Sequence, residues 1–392
     1  MRFTSVLVLA CIQFVIIVDE TAIAVLAPVV GRAFGMGDDV RHALVTPFAA
    51  AFVVALPAAA ALLHRADPRR MLVPVAIGFG VCAAAGALTQ SPATLMLARG
   101  AQGAAAGLTA TCVLAALHLL TRDSATRLRD FAVFAVVSGA GAIAALVVAG
   151  PLATVSWRWC FVAVAVGAVL LGGAWPAVLR AATADAHPSA LASTDDAAGG
   201  SPRGVSATVA VIAIAAANAL PAASAITVSF ALQDDHGWTA TAAGLAFLPL
   251  NAAAALAAAM VARTARRIGS GGTMTAGMVL LAIGCAGLSA ADDPTSLVAA
   301  GVPIGLGIGL VFPLVNDRAL SGSGSGLRRA AGVGAAQQIG LAIGALVAAV
   351  HQGAALVVLA GCAVLGVVGA LRCVPRIDVD AVPDRSPSPG KP

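Results

Sequence analysis

Long apolar segments separated by short polar stretches make up most of the chain. Each segment contains about 20 residues, the length that an α-helix needs to cross the hydrocarbon core of a bilayer. The pattern predicts twelve transmembrane spans, at residues 4–31, 43–63, 71–89, 95–120, 131–154, 159–179, 206–232, 241–262, 272–291, 296–317, 331–350 and 354–371. We therefore expect an all-α integral membrane protein.

A polar stretch divides the predicted spans into two sets of six. Residues 180–205 are rich in Ala, Ser, Asp, Pro and Gly, which is typical of a linker. An arginine cluster follows the second span and another follows the eighth, so the two halves resemble each other. This organisation predicts two pseudo-symmetric six-helix bundles with a linker and a disordered tail. Their ranges are 1–179, 180–205, 206–373 and 374–392.

Positive charge is concentrated on one side of the predicted spans. The segments on the side of the two termini hold 19 Lys and Arg residues, and the opposite loops hold only Arg32, Arg41 and Arg158. Cytoplasmic loops carry such an excess, so we expect a multi-pass protein of the inner (plasma) membrane with both termini in the cytoplasm. The net charge of +5 is spread over short loops. Nucleic acid is therefore not expected as a partner.

The N-terminal residues resemble a secretory signal peptide, with one arginine followed by an apolar run from Phe3 to Val18. The run continues well past the length of a normal signal-peptide core, and no A-x-A cleavage site follows it. We expect it to be an uncleaved first span.

No group of residues is typical of an enzyme or a metal centre. The seven cysteines lie within or beside apolar spans, with no CxxC pair and no histidine at ligand spacing. No nucleophile, histidine cluster or metal-ligand set falls at one depth in the membrane. We therefore expect no enzymatic activity, no metal and no cofactor.

Asp19, Glu20 and Arg99 lie inside predicted spans, where an ionisable side chain costs about 2.5 kcal/mol or more and marks a functional site. At 1.5 Å per residue, Asp19 lies about 22 Å above the cytoplasmic start of the first span, and Arg99 lies about 6 Å below the outer surface. Their depths are similar, so we predict that Arg99 pairs with Asp19 or Glu20. The alternative is that Arg99 extends to the outer interface.

The two acids are not expected to share one cavity, because adjacent helical residues point about 100° apart. Glu20 lies on the helix face of Gln13, whereas Asp19 lies on the face of Ile16 and Ile23. The sequence thus predicts two acids with different surroundings. One is tied to Arg99 and the other is open to substrate or protons.

Uncharged polar residues provide further candidates for substrate binding. Gln13, Asn218 and Asn251 are placed near the midplane, and Gln337 and Gln338 lower, in the eleventh span. Each amide could bind substrate or could bridge two helices. The sequence leaves both roles open.

Glycines recur at four-residue spacing in three spans, which lets helix backbones approach closely. We expect these glycines to pack helices and not to bind a ligand. They are Gly103 and Gly107; Gly301, Gly305 and Gly309; and Gly340 and Gly344.

Several segments resemble motifs of the drug:proton antiporters of the major facilitator superfamily, in the group usually built with fourteen spans. Residues 18–28, VDETAIAVLAP, resemble the first-span motif L-D-x-T-x-x-N-V-A-L-P, with Ala24 in place of Asn. Residues 99–103, RGAQG, are similar to R-x-x-Q-G, and residues 157–161, WRWCF, to W-R-W-x-F. In the second half, Leu232-Gln233, Gly237, Ala243-Gly244, Leu248-Pro249 and Gln338-Ile-Gly340 follow the order of further family motifs.

The resemblance implies a major facilitator fold and proton-coupled export of hydrophobic or cationic small molecules by alternating access. It identifies Asp19 as the acid of the family motif, so Asp19 is expected to couple transport to protons, with Glu20 and Arg99 as the other candidates. The implied partners are a small-molecule substrate, protons and the lipid bilayer. We expect a monomer.

The chain also departs from the family pattern. The loop between the second and third spans, which we call the gating loop, normally reads G-x-L-A-D-R-x-G-R-R. Here Ala60 replaces the first Gly, His64 the Asp and Asp67 the second Gly. Arg65, Arg69 and Arg70 remain. The G-P-x-x-G-G motif of span five aligns on Ala144, Ala145, Val148 and Ala149, with Gly150-Pro151 shortly after. The two extra central spans of the group are absent.

These departures leave other functions open. The chain could export or import one specific metabolite, which a lost antiport motif would favour. It could also be a non-transporting membrane sensor or a degenerate paralogue, which the His64 substitution allows.

Overall fold

The structure is a computed structural model that describes residues 2–37, 43–63, 66–120, 124–184, 207–320 and 326–350. Throughout these ranges the regular secondary structure is helical. The helices are α1 (Arg2–Phe34), α2 (Thr46–Leu63), α3 (Pro68–Leu88), α4 (Pro92–Leu120), α5 (Ser124–Val155), α6 (Arg158–Ala184), α7 (Ala207–Phe230), α8 (Ala240–Leu245), α9 (Leu248–Ser289), α10 (Pro294–Leu320) and α11 (Gly326–Val350). A π-helical turn, Ala231–Asp235, extends α7.

The described helices account for eleven of the twelve predicted spans. Nine helical segments are long and apolar enough to cross a membrane, and one of them, Ala240–Ser289, has 50 residues and corresponds to spans eight and nine. The helix α11 corresponds to span eleven, although its apolar part, Gly334–Ala348, is shorter. The twelfth span, at 354–371, and the tail lie outside the described residues.

A turn at Gly269 separates the eighth span from the ninth. Gly269 has φ +74° and ψ 159° in the middle of α9. Glycine adopts a positive φ without steric cost, whereas other residues do so rarely. The turn lies between the predicted limits 262 and 272, so it confirms that separation.

The start of the linker differs from the sequence-based prediction, and α5 contains a proline near its end. The predicted linker begins at residue 180, but α6 continues to Ala184, because residues 180–184 are mostly good helix formers. In addition, α5 continues through Pro151, which lies one turn from its end. The remainder of the linker, 185–205, lies outside the described residues.

The spaced glycines pack helices against each other, as predicted. A Cβ atom added at Gly103 would lie 2.1 Å from the backbone oxygen of Phe48 in α2. At Gly340 it would lie 2.2 Å from the backbone oxygen of Ala215 in α7. At Gly305 it would lie 2.1 Å from the backbone oxygen of Leu250 in α9. Only glycine permits these backbones to approach so closely.

The two halves meet at the end of the molecule opposite the N-terminus, which we call the outer end. Gly150 in α5 packs against α8, where an added Cβ would lie 2.4 Å from Thr241 Cα. Gly244 in α8 packs in turn against α5, where an added Cβ would lie 2.3 Å from the Leu146 oxygen. These contacts close the outer end between α5 and α8.

Asp67 starts α3 and is fixed by Arg69. Its carboxylate accepts hydrogen bonds from the Arg69 backbone N–H, at 2.9 Å, and from the Arg69 side chain, at 2.8 to 3.1 Å. Proline follows at the first helical position, where its missing N–H has no cost. Partial burial alone would raise the pKa of Asp67, but the Arg69 hydrogen bonds and the charges of Arg69 and Arg70 hold the pKa below its ordinary value.

Because the pKa of Asp67 is lower in the folded protein, its contribution to stability is present above the ordinary value and is lost as the pH falls through the folded value. We expect Asp67→Ala to cost about 1 kcal/mol through loss of the helix cap. Asp67→Asn keeps a capping oxygen and should lose mainly the dependence on pH. Unfolding in detergent, followed by circular dichroism between about pH 2 and about pH 7, measures both effects. If the stability of Asp67→Asn fell with pH as much as that of the unmodified protein, Asp67 would not be the source of the pH dependence.

Candidate functional site

Asp19 and Arg99 form a buried ion pair between α1 and α4. The Arg99 Nη1 atom lies 2.7 Å from Asp19 Oδ2, and the two side chains are 1% and 3% exposed. The prediction that Arg99 pairs with one of the two adjacent acids is confirmed, and the partner is Asp19. Arg99 therefore does not extend to the outer interface.

Gln102 completes this pair. Its Nε2 donates to Asp19 Oδ1 at 2.9 Å, and its Oε1 accepts from Arg99 Nη1 at 3.0 Å. Arg99 also donates from Nε to the Leu44 carbonyl oxygen at 3.1 Å, and its guanidinium lies 4.4 Å from the centre of the Phe48 ring. We did not single out Gln102 from the sequence. Its position three residues after Arg99, and thus on the same helix face, was the available signal.

Glu20 faces the second half of the protein and not Arg99. Its Oε1 accepts a hydrogen bond of 2.7 Å from Nε2 of Gln338 in α11. The expectation that the two acids have different surroundings is confirmed. The expectation that Gln338 lies lower than Gln13 was wrong, because Gln338 contacts Glu20, which lies seven residues beyond Gln13, about 10 Å further along α1.

The other predicted substrate residues are not joined to Glu20 by a hydrogen bond in the described part of the chain. Asn218 Nδ2 donates to the Ile214 oxygen at 2.8 Å, and Asn251 Nδ2 donates to the Phe247 oxygen at 2.9 Å, each within its own helix. Gln13 has a buried Oε1 without a partner. Gln337 is half-buried in α11.

A small apolar cavity lies beside Asp19, between α1, α5 and α6. Its volume is about 40 Å³, and its lining includes Ile23, Ala149, Phe161 and Val164. This volume suits a water molecule rather than a drug-sized ligand, which needs several hundred Å³. This cavity is therefore too small to bind a drug-sized ligand.

The gating loop is only partly described. His64 and Arg65 lie outside the described residues. Asp67 and Arg69 form the helix cap of α3, and the Arg69 carbonyl oxygen accepts a hydrogen bond of 2.7 Å from Trp175 Nε1 in α6. These described contacts tie the loop to its own half.

Gln233 links the two halves at the outer end. Its Nε2 donates to the Val25 carbonyl oxygen of α1 and to Ser229 Oγ, both at 3.0 Å. Its Oε1 accepts from Arg32 Nη2 at 3.3 Å, and Arg32 also pairs with Asp234. Gln233 is 5% exposed, whereas the Arg32 and Asp234 side chains are 51% and 38% exposed. The buried amide thus carries the stronger part of the closure.

We expect Gln233→Leu to open the outer end, because loss of a buried hydrogen-bonding partner costs about 1–3 kcal/mol. Spin labels at Ser91 and Asp292, on the two halves, should move apart in a distance measurement on the purified protein. Thr154→Ala is the matched control, because Thr154 Oγ1 bonds the Pro151 oxygen within its own helix. Unchanged distances in Gln233→Leu would contradict the role of this contact.

Comparison with known proteins places these features in a family. The sequence profile of the Major Facilitator Superfamily matches residues 9–349. The structure superposes on the nucleoside transporter NupG with a TM-score of 0.69 at 12% identity, covering 95% of this chain and 98% of that protein. It superposes on a bacterial homologue of the human lysosomal transporter Spinster with a TM-score of 0.67 at 15% identity, covering 95% and 94%. The predicted fold class is therefore confirmed.

Two curated relatives match less than half of the chain. The puromycin resistance protein of Streptomyces alboniger is 31% identical over 160 residues, which is 41% of this chain and 32% of that protein. The uncharacterized transporter EfpA of Mycobacterium tuberculosis is 26% identical over 168 residues, which is 43% of this chain and 32% of that protein. The chain thus matches about a third of the length of each relative.

Proposed function

The chain belongs to the major facilitator superfamily of membrane transporters, and from this premise we propose that it exports hydrophobic or cationic small molecules in exchange for protons. The Asp19–Arg99 pair is the observation that carries the proposal. Two opposite charges removed from water cost several kcal/mol unless they are paired and hydrogen-bonded. Ionisable residues inside a span commonly mark an ion pathway or a substrate site.

Proton coupling follows from the chemistry of the pair. When Asp19 is ionised, Arg99 and Gln102 satisfy both of its carboxylate oxygens. A proton on Asp19 removes the attraction to Arg99, whose remaining bonds to Leu44 and Gln102 keep the guanidinium in place. Binding and release of one proton thus change how tightly α1 is held to α4. This change is the proposed link between proton transfer and helix movement.

Alternating access requires the contacts at the outer end to open and close. The Gln233–Val25 bond and the α5–α8 packing join the halves there. In this closed arrangement we propose that the substrate enters between the halves from the opposite end. From the positive-inside rule we propose that this end faces the cytoplasm, the direction that export needs. We further propose a monomer in the plasma membrane with both termini inside the cell.

Drug-like substrates are supported by the first-span, fourth-span and sixth-span motifs and by the partial similarity to a puromycin resistance protein. The transport site is proposed to involve Glu20, Gln13 and Gln338, with Gln337, Asn218 and Asn251 on neighbouring helices. Of these residues, Glu20 and Gln338 contact each other between the halves.

The test compares the unmodified protein with Asp19→Asn. In proteoliposomes with an imposed proton gradient, transport of puromycin or of a cationic dye should fall by at least about tenfold, which corresponds to about 1.4 kcal/mol. Asp293→Asn is the matched control, because Asp293 lies in an exposed turn before α10, where Asn can also cap the helix. Cells that express the unmodified protein should tolerate more of a transported antibiotic. Unchanged resistance across a panel of antibiotics would contradict drug export.

A further inference from the structure

Gln338 presents an unusual arrangement of one satisfied and one unsatisfied polar atom. It is 5% exposed, and its Nε2 donates to Glu20 Oε1 at 2.7 Å. Its Oε1 is buried and accepts no hydrogen bond. Buried amide oxygens nearly always accept a hydrogen bond, so Gln338 Oε1 is expected to have a donor. An ionised Glu20 has no hydrogen to donate to it.

A protonated Glu20 supplies that donor. A carboxylic acid and a primary amide can form two antiparallel hydrogen bonds, N–H to the acid carbonyl and O–H to the amide oxygen. The first of these bonds is present between Gln338 Nε2 and Glu20 Oε1. A proton on the second carboxyl oxygen of Glu20 can be donated to Gln338 Oε1. No other side chain of the described residues hydrogen-bonds to Gln338.

Gln13 cannot provide the missing donor. It lies seven residues before Glu20 on the same face of α1, which is about 10 Å along the helix. In the described part of the chain no hydrogen bond joins Gln13 to Gln338, and the Oε1 of Gln13 is itself buried without a partner.

The charged side chains next to Glu20 are paired with each other and not with Glu20. Asp19 is bonded to Arg99, and Arg99 is also bonded to Gln102 and Leu44. Further charged residues lie in α5 and α6, which pack against α1, and in the π-helical turn. They are Asp130, Arg158, Arg180, Asp234 and Asp235.

We infer that Glu20 and Gln338 form a second proton-binding site, shared between the two halves and separate from Asp19. The proton comes from solvent, binds the free carboxyl oxygen of Glu20 and is donated to Gln338 Oε1; no other bond forms or breaks. The proton adds a second hydrogen bond between α1 and α11. It therefore strengthens the contact between the halves, and its release leaves one bond.

The place of this site in a transport cycle rests on the proposed function, whereas proton binding itself does not. In an antiporter, a proton that tightens the α1–α11 contact holds the halves in the arrangement seen here. Release of the proton towards the substrate entrance would loosen that contact before the outer end opens. Two proton sites, Asp19 and Glu20, would then respond to different movements: α1 against α4, and α1 against α11.

Infrared difference spectroscopy of the purified full-length protein, titrated between about pH 5 and about pH 9, tests the site directly, because protonated carboxyl groups have a separate C=O stretch. We expect a band that is lost in Glu20→Gln and kept in Asp19→Asn. In Gln338→Leu the band should shift to higher wavenumber, because a hydrogen bond to the carboxyl group is removed. Gln338→Asn, which keeps the amide but withdraws it, should give a shift in the same direction if Gln338→Leu does not fold.

Two results would overturn the inference. One is a set of carboxyl bands that Glu20→Gln leaves unchanged. The other is a Glu20 band that neither Gln338 variant shifts, since the proton would then not be shared with α11. The measurement needs no substrate. If the protein shows the Glu20 band but exports no drug, only the proposed function is refuted. If it exports drugs in exchange for protons but lacks the band, only the second proton-binding site is refuted.

Discussion

Replacing Arg99 with leucine is expected to lower the free energy of unfolding by about 3–5 kcal/mol, because it leaves a buried charge on Asp19 without its partner. Arg99 is 1% exposed and contacts Asp19, Gln102 and the Leu44 carbonyl oxygen. Its guanidinium also covers the Phe48 ring. Denaturant unfolding in detergent micelles measures the loss, and transport should be lost as well.

The double variant Asp19→Asn with Arg99→Gln separates charge from packing. It removes both charges but keeps polar side chains, so we expect it to be more stable than Arg99→Leu while remaining inactive in proton-driven transport. Arg158→Gln is the control, because it also removes an arginine that donates to a backbone oxygen. Arg158 is half-buried, and its Nη2 donates to the Thr89 carbonyl oxygen. If Arg158→Gln lowered the free energy of unfolding as much as Arg99→Leu does, the large effect at Arg99 could not be attributed to the buried ion pair.

Gly305→Ala is expected to destabilise the second half by about 1–3 kcal/mol, because the added methyl group cannot be accommodated. Its Cβ would lie 2.1 Å from the Leu250 carbonyl oxygen and 3.1 Å from Ala253 Cβ. The clash is with backbone, so a rotation of side chains does not relieve it. The helices α9 and α10 would have to separate, and each would lose contact with the other.

Gly301→Ala is the matched control, one turn away on the same helix face. There the nearest atom to an added Cβ is Leu250 Cβ at 3.4 Å, which is an ordinary contact. Alanine is also the better helix former, by up to about 1 kcal/mol. We therefore expect Gly301→Ala to be neutral or stabilising in the same unfolding measurement. Equal losses in the two variants would show that general helix packing, and not this close approach, decides the outcome.

Helical periodicity and residue depth were sufficient to predict much of the site. The depth of the two acids and of Arg99 follows from the start of each span and the fixed rise of a helix. A pairing of Arg99 with Asp19 or Glu20 could therefore be predicted across about 80 residues of sequence, and the structure identified Asp19 as the partner. The rotation of 100° per residue separated the surroundings of Asp19 and Glu20. Both properties are local, and a single helix sets them.

The contacts between the halves could not be predicted in the same way. The level at which Gln338 meets α1 depends on how α11 slides against α1, and the pattern of α11 alone does not set that position. The roles of Gln102 and Gln233 were also missed. Both residues belong to motifs that were recognised, but a motif does not show which groups on other helices its amide contacts. Asn218 and Asn251 bond within their own helices, which a pattern of polar residues does not distinguish from binding a ligand.

The sequence by itself determined that the described residues are helical, how many spans they contain and that Arg99 lies at the depth of the adjacent acids Asp19 and Glu20. These properties follow from the cost of exposing backbone and charge to lipid, which acts on each span separately. Only the tertiary structure decided that Gln102 completes the Asp19–Arg99 pair, that Gln233 closes the outer end and that Glu20 meets Gln338. These contacts depend on how helices from different parts of the chain rotate and slide against one another, and that is set by packing in three dimensions.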